Sequence, residues 1–414
     1  MYTTYAISWL TVFVLDVAAS PFPAPSPSTL SLMAPNITPS DQVGWYSPPN
    51  LRGTTNILYS CLSTLFVCLW VVLQLNVPAP HHSLIIKTLR KAKWMILGYG
   101  ASEWLFMIAL IQRHEAAQAL WEMWKRGYGN WTIAHGFYLN MGGIVLDVGG
   151  HRRFPITYKQ LVVLLDRSVV TLPDISEDEI KDKSKADGFA KAVSCMQVGW
   201  LAVQSIARAK QHLPLTTLEL TTLGFVANSL VVFYIWWEKP TDVQVPTVLR
   251  MENKTDEALR QLFGEDNLKW DGIARNEDII QLQRVYNDSD LPSGTSIGAI
   301  INGIGAVIVS YGALHCAAWN FSFPTTAERT LWRVCSIVTT FALPVGLGSA
   351  AWIKVKIPNL TWKALYLVRC ISWASTAFYV ISRSYLLLES LFDLRSLPAA
   401  AYEDVQWTNF LPHF

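Results

Sequence analysis

The residues that could do chemistry in this 414-residue chain are ionisable side chains placed inside long apolar stretches. Glu103 is the most deeply placed acid, and His315 and Arg369 lie in later stretches. An ionised group at the middle of a membrane helix costs about 2.5–3.5 kcal/mol, so it needs a partner or a purpose. Glu103 could bind a proton or cation, or act as a general acid or base; a structural hydrogen bond or ion pair is the alternative. His315 could bind a metal or a proton, or could simply be packed and hydrogen-bonded.

Further polar groups in the apolar stretches suggest contacts between helices. Arg369 and Arg383 are fourteen residues apart, which places them on roughly one helix face. Arg369 could pair with Glu103, whereas Arg383 is expected near an interface with its guanidinium reaching water. Gln197 and Gln204, seven residues apart, could line a polar seam or hold two helices together.

Other candidates have weaker sequence support. His135 and Asp147 could form an acid/base pair, although twelve residues separate them and nothing in the sequence fixes their geometry. Glu219 is expected near a membrane interface. Asn228 and Asn302, like the glutamines, could line a polar seam or bond between helices.

The sequence lacks the common signatures of catalysis and cofactor binding. It has no P-loop, no strand-placed GxGxxG, no HExxH, no GxSxG and no aspartate-rich pair. We therefore assign no catalytic residue, no cofactor and no metal. The cysteines form no CxxC or His/Cys cluster, which argues against a zinc site or a disulfide framework. They are expected to be buried apolar side chains: Cys61, Cys68, Cys195, Cys316, Cys335 and Cys370.

The elements that must position these residues are membrane helices. Charged residues make up 15% of the chain and hydrophobic residues 51%, whereas soluble domains carry about 25% charged residues. Eighteen tryptophans suit the interfacial belts of a membrane protein. A net charge of +2 argues against a nucleic-acid partner. The expected fold is an all-α bundle with seven membrane spans: residues 57–77, 94–111, 189–207, 215–237, 296–319, 331–353 and 366–388.

Three local patterns refine this bundle. Ser176 and Glu179 form a capping box that starts a helix, which is predicted to pass from water into the third span without a break. Residues 131–147 are apolar but too short to span, so they are expected to lie at the interface or to re-enter. A small-residue face for close helix packing is predicted in the fifth span, at Gly298, Gly303, Gly305 and Gly312.

The chain divides into four predicted parts. Residues 1–19 are typical of a secretory signal peptide, with an uncleaved anchor as the alternative, and residues 20–56 form a lumenal Pro/Ser-rich segment. Residues 57–392 form the membrane domain, with polar loops at 112–188 and 238–293, and residues 393–414 form a tail. The short basic segment 81–93 is expected in the cytosol.

Seven spans then put the N-terminus in the lumen and the C-terminus in the cytosol. Five glycosylation sequons are lumenal in this arrangement, and a sixth, at Asn320, is cytosolic and unused. One feature opposes the positive-inside rule, because Lys354, Lys356 and Lys363 fall in a lumenal loop. The five predicted glycosylation sites are Asn36, Asn130, Asn253, Asn287 and Asn359.

Several motifs together resemble a known family. They are RGTTNILYSCLSTLFVCLWVVLQLNVP, AHGFYLNMGG, LPDISEDEIKDKSKADGFAK and LPLTTLELTTLGFVANSL followed by WWEKP. The combination resembles a large fungal family of uncharacterised integral membrane proteins, over residues 44 to about 333. Its members tend to carry a Pro-Glu pair in the second span. Here Ser102 replaces the proline, so the sequence does not decide whether the helix is kinked at this point. Glu103 is kept. The resemblance implies the topology and a fungal origin but no reaction.

These observations favour a non-enzymatic, multi-pass protein of the secretory or plasma membrane that transports a small solute, senses or acts as a scaffold. The alternative is an intramembrane enzyme for a lipid or terpenoid-like substrate, with Glu103 as acid/base and His315 or His135 assisting. The expected partners are membrane lipid and a small-molecule ligand. A closed cavity lined by Glu103, His315 and Arg369 would favour the enzyme, and a continuous polar path would favour transport.

Overall fold

The computed structural model describes residues 38–46, 52–78, 82–147, 153–166, 168–184, 188–250, 305, 309, 311–356 and 362–407. This part of the chain is mostly helical and also contains two small β-sheets. Its longer helices are α1 (Thr54–Val72), α2 (Leu84–Gly100), α3 (Ser102–Lys125), α7 (Gly188–Lys210), α8 (Thr217–Ile235), α9 (Thr326–Lys356) and α10 (Trp362–Phe392). Its shorter helices are α4 (Ile133–Tyr138), α5 (Tyr158–Asp166) and α6 (Glu177–Lys183), and residues 311–316 are also helical. Its strands are β1 (Gln42–Val43), β2 (Ile144–Asp147), β3 (Arg153–Pro155), β4 (Thr247–Arg250) and β5 (Leu397–Pro398).

A small α/β unit corrects the all-α prediction. Strand β2 pairs antiparallel with β3 and parallel with β4, and α4, α5 and α6 pack around this sheet. Residues 131–147 therefore do not lie at an interface. Tyr138 and Leu139, just before β2, and Leu146 within it are fully buried, because the surrounding helices cover the sheet and share one core with it.

The predicted second span, 94–111, is broken in the structure. Helix α2 ends at Gly100, and α3 begins at Ser102 with its axis turned by 111°. The start of α2 lies beside the segment after α8, since Lys87 Nζ donates to Gln244 Oε1 at 2.6 Å. The end of α3 packs in the core of the α/β unit through Met123. Both ends of the helix pair therefore lie at one end of the bundle, and the pair is either a broken span or a re-entrant loop.

We call the two ends of the bundle the domain end (residues 76–91, 119–184 and 236–250) and the tail end (residues 38–46, 208–216 and 393–403). At the tail end, β1 pairs antiparallel with β5, and the Tyr402 hydroxyl donates to the Gly44 carbonyl at 3.1 Å. The segment before α1 and the segment after α10 thus form one sheet. This pairing disagrees with the predicted arrangement, in which the two segments lie on opposite sides of a membrane.

Two local predictions have different outcomes. The capping box at Ser176 is present, with Glu179 N donating to Ser176 Oγ at 3.1 Å. The helix does not continue into the third span, however, because α6 ends at an extended Ser184 and α7 begins at Gly188. In the predicted small-residue face, a Cβ on Gly312 would lie 2.6 Å from the Thr340 Cα, so this glycine does permit close packing. Gly298 and Gly303 lie outside the described residues.

Length and hydropathy identify a few candidate membrane spans among the described helices. Helices α1 and α8 are each long and apolar enough to cross a bilayer, and the bent pair α2–α3 meets the same criteria when taken together. Large apolar side chains are exposed on several helices, for example Tyr59 on α1, Ile96 on α2 and Trp373 on α10. Apolar surface on this scale is typical of a face that contacts lipid or protein.

Candidate functional site

The break between α2 and α3 places Glu103 in the first turn of α3, deep in the bundle. Glu103 is 4% exposed. Its Oε2 accepts a hydrogen bond from the Tyr379 hydroxyl at 2.9 Å and a longer one from Ser102 Oγ at 3.4 Å. The unpaired N–H groups at the start of a helix favour a negative charge there. The broken helix therefore supplies both the position of this acid and part of its electrostatic support.

Arg383 on α10 lies at the other half of the break, at the carboxyl end of α2. Its Nε donates to the Gly100 carbonyl at 3.2 Å, and its Nη2 donates to the Tyr311 hydroxyl at 2.6 Å. The guanidinium also lies 4.7 Å from the centre of the Tyr311 ring. A cation is stabilised at the carboxyl end of a helix. The two helix ends formed by the break thus each face a side chain of the matching charge.

His315 completes the arrangement as a neutral hydrogen-bond acceptor. Arg383 Nη1 lies 2.8 Å from His315 Nε2, and His315 Nδ1 lies 3.2 Å from the Tyr311 carbonyl. A guanidinium only donates, so Nε2 must accept and the proton must be on Nδ1. The Trp332 indole fixes the backbone by donating to the His315 carbonyl at 3.0 Å. Both ring nitrogens of this histidine are therefore occupied.

We call this set of side chains the break network: Glu103, Tyr311, His315, Tyr379 and Arg383. Glu103 and Arg383 belong to the same network, yet they make no direct ion pair with each other within the described residues. Asn228 ties the break to α8, since its Nδ2 donates to the Ser102 carbonyl at 2.8 Å. A buried charged group that bonds to a hydroxyl keeps a hydrogen-bond partner. Because a hydroxyl can rotate and can donate or accept, the bonding pattern around the charge can change.

The structure brings together only part of the predicted site. Glu103 and His315 lie in one network, whereas Arg369 is exposed and does not pair with Glu103. Arg383 is 3% exposed, so the prediction that it reaches water at an interface is wrong. Its guanidinium is instead held by carbonyl, hydroxyl and imidazole groups at the break. Gln197 and Gln204 are half-buried on α7 and make no hydrogen bond to the break network within the described residues.

His135 and Asp147 do not form the suggested acid/base pair. His135 Nδ1 lies 3.0 Å from Thr132 Oγ1 as part of a capping box, and its Nε2 lies 2.8 Å from the Ile175 carbonyl. Asp147 instead pairs with Arg153 on the neighbouring strand at 3.1 Å. These contacts give both residues a structural role in the α/β unit.

The remaining predicted polar positions lie away from the break or outside the described residues. Glu219 is 1% exposed and forms an ion pair with Arg52 at the tail end. Asn302 lies outside the described residues. Two of the cysteines expected to be buried, Cys195 and Cys370, are exposed.

One predicted glycosylation site can be placed in the structure. Asn130 is exposed at the domain end, and its Nδ2 donates to Asp174 Oδ1 at 2.8 Å. The unused sequon at Asn320 is exposed as well, beside the tail end. Four predicted sites lie outside the described residues: Asn36, Asn253, Asn287 and Asn359.

Sequence reasoning missed the two tyrosines of the break network. Tyr379 lies four residues before Arg383 on α10, and Tyr311 lies four residues before His315. Residues four apart share a helix face, so a hydroxyl was available beside each candidate group. This spacing is the sequence signal that could have identified them.

No cluster of metal-binding side chains accompanies the network in the described part of the chain. No group of three or more His, Cys, Asp or Glu residues there is arranged to hold a metal ion. Three cavities lie elsewhere: one beside the ends of α1 and α2, one next to Trp94, and one at the tail end beside Asp393. None of these three is lined by Glu103, His315 or Arg383.

Comparison with known proteins gives one match. A sequence model for a family of unknown function (DUF8562) matches residues 28–265 and 301–414. No curated protein and no solved structure shows significant similarity to this chain.

Proposed function

We propose that this chain, which belongs to a family of unknown function (DUF8562), moves a small solute or ion across a membrane. The observation that carries the proposal is the broken helix pair α2–α3, with buried Glu103 at the start of its second half. Non-helical backbone at membrane depth is tolerated only where protein or a water-filled cavity surrounds it. Discontinuous helices of this kind form the solute and ion sites of many secondary transporters.

The charges at the break support this proposal further. Glu103 and Arg383 face the two helix ends, and each is bonded to a tyrosine hydroxyl, Glu103 to Tyr379 and Arg383 to Tyr311. Ionisable residues at membrane depth that face the bundle interior commonly mark ion or proton pathways. We therefore assign Glu103 the role of proton or cation site and Arg383 the role of its countercharge.

The enzymatic alternative has less support. It requires His315 or His135 to exchange a proton with a substrate, and both nitrogens of each ring are already engaged. The cavities next to Trp94, beside α1 and α2, and at the tail end do not include Glu103.

The test is solute flux through the purified chain in sealed liposomes. With a panel of amino acids, sugars and monovalent cations, we expect uptake by the wild type that depends on a proton or ion gradient. Glu103→Gln keeps the shape and an oxygen acceptor for Tyr379 but removes the charge, so flux should fall at least tenfold. Uptake by Glu103→Gln at the wild-type rate would contradict the role of this acid.

A matched control separates lost function from lost structure. Glu122→Gln lies on the same helix, at the exposed domain end, where it pairs with Lys125 and Arg126. Exposed ion pairs contribute about 0–1 kcal/mol, so this variant should fold and transport as the wild type does. Both variants should elute as the same monodisperse species in detergent before their flux rates are compared.

We also propose a revised membrane arrangement. Six helical segments cross the bilayer, namely α1, α7, α8, the helix ending at residue 316, α9 and α10, while α2–α3 enters and returns. The domain end then faces the cytosol, because the basic segment 81–93 belongs to it. Lys354, Lys356 and Lys363 move to the cytosolic side as well, which removes the exception to the positive-inside rule.

Glycan mapping tests this arrangement. Asn36 should lie in the lumen and Asn130 in the cytosol, because the tail end and the domain end face opposite sides. Treatment with an endoglycosidase should shift the wild type and Asn130→Gln but not the double variant Asn36→Gln with Asn320→Gln, because Asn320 lies beside the tail end and is lumenal as well in this arrangement. A shift that persists in the double variant would favour the seven-span arrangement, in which Asn130 is lumenal. The proposal also includes three predictions from the sequence. Residues 1–19 form a signal peptide, the protein passes through the secretory route, and its source is a fungus.

A further inference from the structure

A cavity of about 400 Å³ opens beside the end of α1, at the domain end of the bundle. Its walls come from α1, the first turns of α2 and the segment that follows α8. The lining includes the aromatic ring of Trp70, the apolar Leu84, three basic side chains and one carboxylate. This volume lies in the range of small-ligand sites.

The cavity is positively charged. On α2, Arg90 and Lys91 lie three and four residues after Lys87, so both share the helix face of Lys87. Two of them bond to neutral acceptors: Lys87 Nζ to Gln244 Oε1 at 2.6 Å, and Arg90 Nη1 to the Asn76 carbonyl at 3.1 Å.

The one carboxylate that lines the cavity does not neutralise this charge. Asp242 lies 3.8 Å from Lys91 Nζ, and its side chain is 45% exposed. Exposed pairs at this separation are weak and are screened by salt. The lining of the cavity therefore contains three basic side chains and one carboxylate.

Apolar surface continues directly from the cavity. Leu84, Ile85 and Leu89 on the first turns of α2 are 80%, 72% and 63% exposed. Lys91 Nζ lies 3.9 Å from the centre of the Trp70 ring, which places a cation–aromatic pair at the rim. An amphipathic helix with basic and apolar faces is typical of segments that lie in a membrane interface.

We propose that this cavity binds the phosphate headgroup of an anionic phospholipid, with the acyl chains lying along the exposed apolar side chains of α1 and α2. The proposal uses only the membrane placement of the bundle and does not depend on transport. Basic pockets between membrane helices on the cytosolic side recognise anionic headgroups, and anionic lipids are concentrated in that leaflet. A free phosphate would use the three cations but not the adjoining leucine and isoleucine side chains.

Native mass spectrometry of the full chain in detergent tests this site. Phosphatidylserine and phosphatidylcholine of equal chain length are added separately, and the bound fraction is measured for each. We expect the anionic lipid to be retained preferentially at one site. Each juxtamembrane cation contributes roughly a fivefold change in affinity, so Lys87→Gln and Lys91→Gln should each weaken retention about fivefold, and their combination about 25-fold.

The matched controls are lysines at the same end of the bundle but outside the cavity. Lys125 and Lys181 are 50% and 65% exposed and pair with acids on their own helices. Lys125→Gln and Lys181→Gln should retain phosphatidylserine as the wild type does. An equal loss in these controls would show a general effect of surface charge and would overturn the proposed site.

Two further measurements keep the result decisive. Lys87→Arg preserves the charge and should restore binding, which a folding defect at this position would not allow. Inorganic phosphate in excess should not displace phosphatidylserine; displacement at low millimolar phosphate would mean that the cavity takes a free anion rather than a lipid. Equal retention of phosphatidylcholine would also reject the proposal. Because no flux is measured, a failure of the transport assay would leave these outcomes unchanged.

Discussion

The tail end and the break network both bury ionisable groups, but they hold them differently. At the tail end Arg52, 4% exposed, pairs directly with Glu219, 1% exposed. Arg208 is fully buried there and donates to the carbonyls of Pro214 and Ala401 at 2.9 and 3.0 Å. These acceptors are backbone or ion-pair oxygens with fixed positions. The charges of the tail end are therefore locked in one arrangement.

In the break network each of the two opposite charges is bonded to a tyrosine hydroxyl. Tyr379 donates to Glu103, and Tyr311 accepts from Arg383. A hydroxyl can rotate and can serve as donor or acceptor, so the same groups allow more than one bonding pattern. The contrast teaches that burial alone does not identify a functional charge. Fixed acceptors indicate a structural role, and exchangeable partners indicate a site that can change state.

The largest effect is expected from breaking the tail-end pair with Glu219→Gln. The substitution leaves the Arg52 guanidinium buried without its ion-pair partner and removes an acceptor of the Thr216 cap. Removal of one partner from a buried pair costs about 3–5 kcal/mol. Denaturant unfolding of the detergent-solubilised protein should register a loss of this size.

The Glu219→Gln variant also tests whether the tail end and the break network have separate roles. Molecules of Glu219→Gln that remain folded should transport at the normal rate per molecule, since the break network is intact. The double variant Arg52→Met with Glu219→Gln should recover part of the lost stability, because no buried charge is left without a partner. A recovery of zero would argue that the two residues contribute independently.

The second effect concerns pH at the tail end. Asp393 lies just beyond α10, and burial raises its pKa to about 7, although a hydrogen bond from Thr217 Oγ1 at 2.8 Å opposes the shift. A folded-state pKa above the unfolded value near 3.9 favours the protonated carboxyl in the fold. Its contribution to stability is fully present below pH 4 and is lost as the pH rises through 7.

The Asp393→Asn variant isolates this group. Between pH 4 and pH 8 the wild type should lose on the order of 2–4 kcal/mol more unfolding free energy than the variant, on the basis of about 1.4 kcal/mol per pKa unit. Unfolding midpoints measured across this range provide the check. Asp178→Asn, at a side chain that is 93% exposed, is the control and should track the wild type. Parallel pH profiles for Asp393→Asn and the wild type would contradict the shift.

The Tyr379→Phe substitution should have the smallest effect on stability of the three. It should nevertheless lower the flux clearly. The substitution removes the hydroxyl that donates to Glu103 and leaves the longer bond from Ser102. Loss of one buried hydrogen bond costs about 1–3 kcal/mol. Liposome uptake should fall because the acid loses the partner that links it to α10.

The control for this change comes from the same helix. The Tyr385 hydroxyl donates to the Glu328 carbonyl at 3.4 Å, toward the tail end. Tyr385→Phe should lower stability by a similar or smaller amount and leave uptake unchanged. Equal flux defects in the two variants would remove the distinction between the two regions.

The sequence predicted the helical character and the depth of the acid more readily than the geometry of the site. Apolar runs marked α1, α8 and α10 within a few residues, and the cost of burying a charge singled out Glu103. The sequence left a kink at this point open because Ser102 replaces the family's proline, and the apolar content of 94–111 is the same for a straight or a bent helix. Only tertiary contacts, such as Asn228 bonding to the Ser102 carbonyl, require the bend.

The sequence also could not predict which charged residues would be buried and paired. Arg369 and Arg383 share one helix and one residue type, and hydropathy cannot decide which of them faces the bundle. That choice depends on which turn of α10 meets the Gly100 carbonyl and Tyr311, which are brought near by distant segments. The α/β unit was missed for a similar reason, since β2 is defined by pairing with β4 about a hundred residues later.

The joining of the two chain ends has a consequence for biosynthesis. Gln42 and Ser396, which bond to each other through their side chains, are 354 residues apart, so the first strand leaves the ribosome long before its partner exists. Until then the Arg208 guanidinium lacks the carbonyls of Ala401 and Glu403. A nascent or prematurely stopped chain therefore presents an unsatisfied cation and an open strand edge, the features by which quality-control machinery can distinguish an unfinished molecule from a finished one.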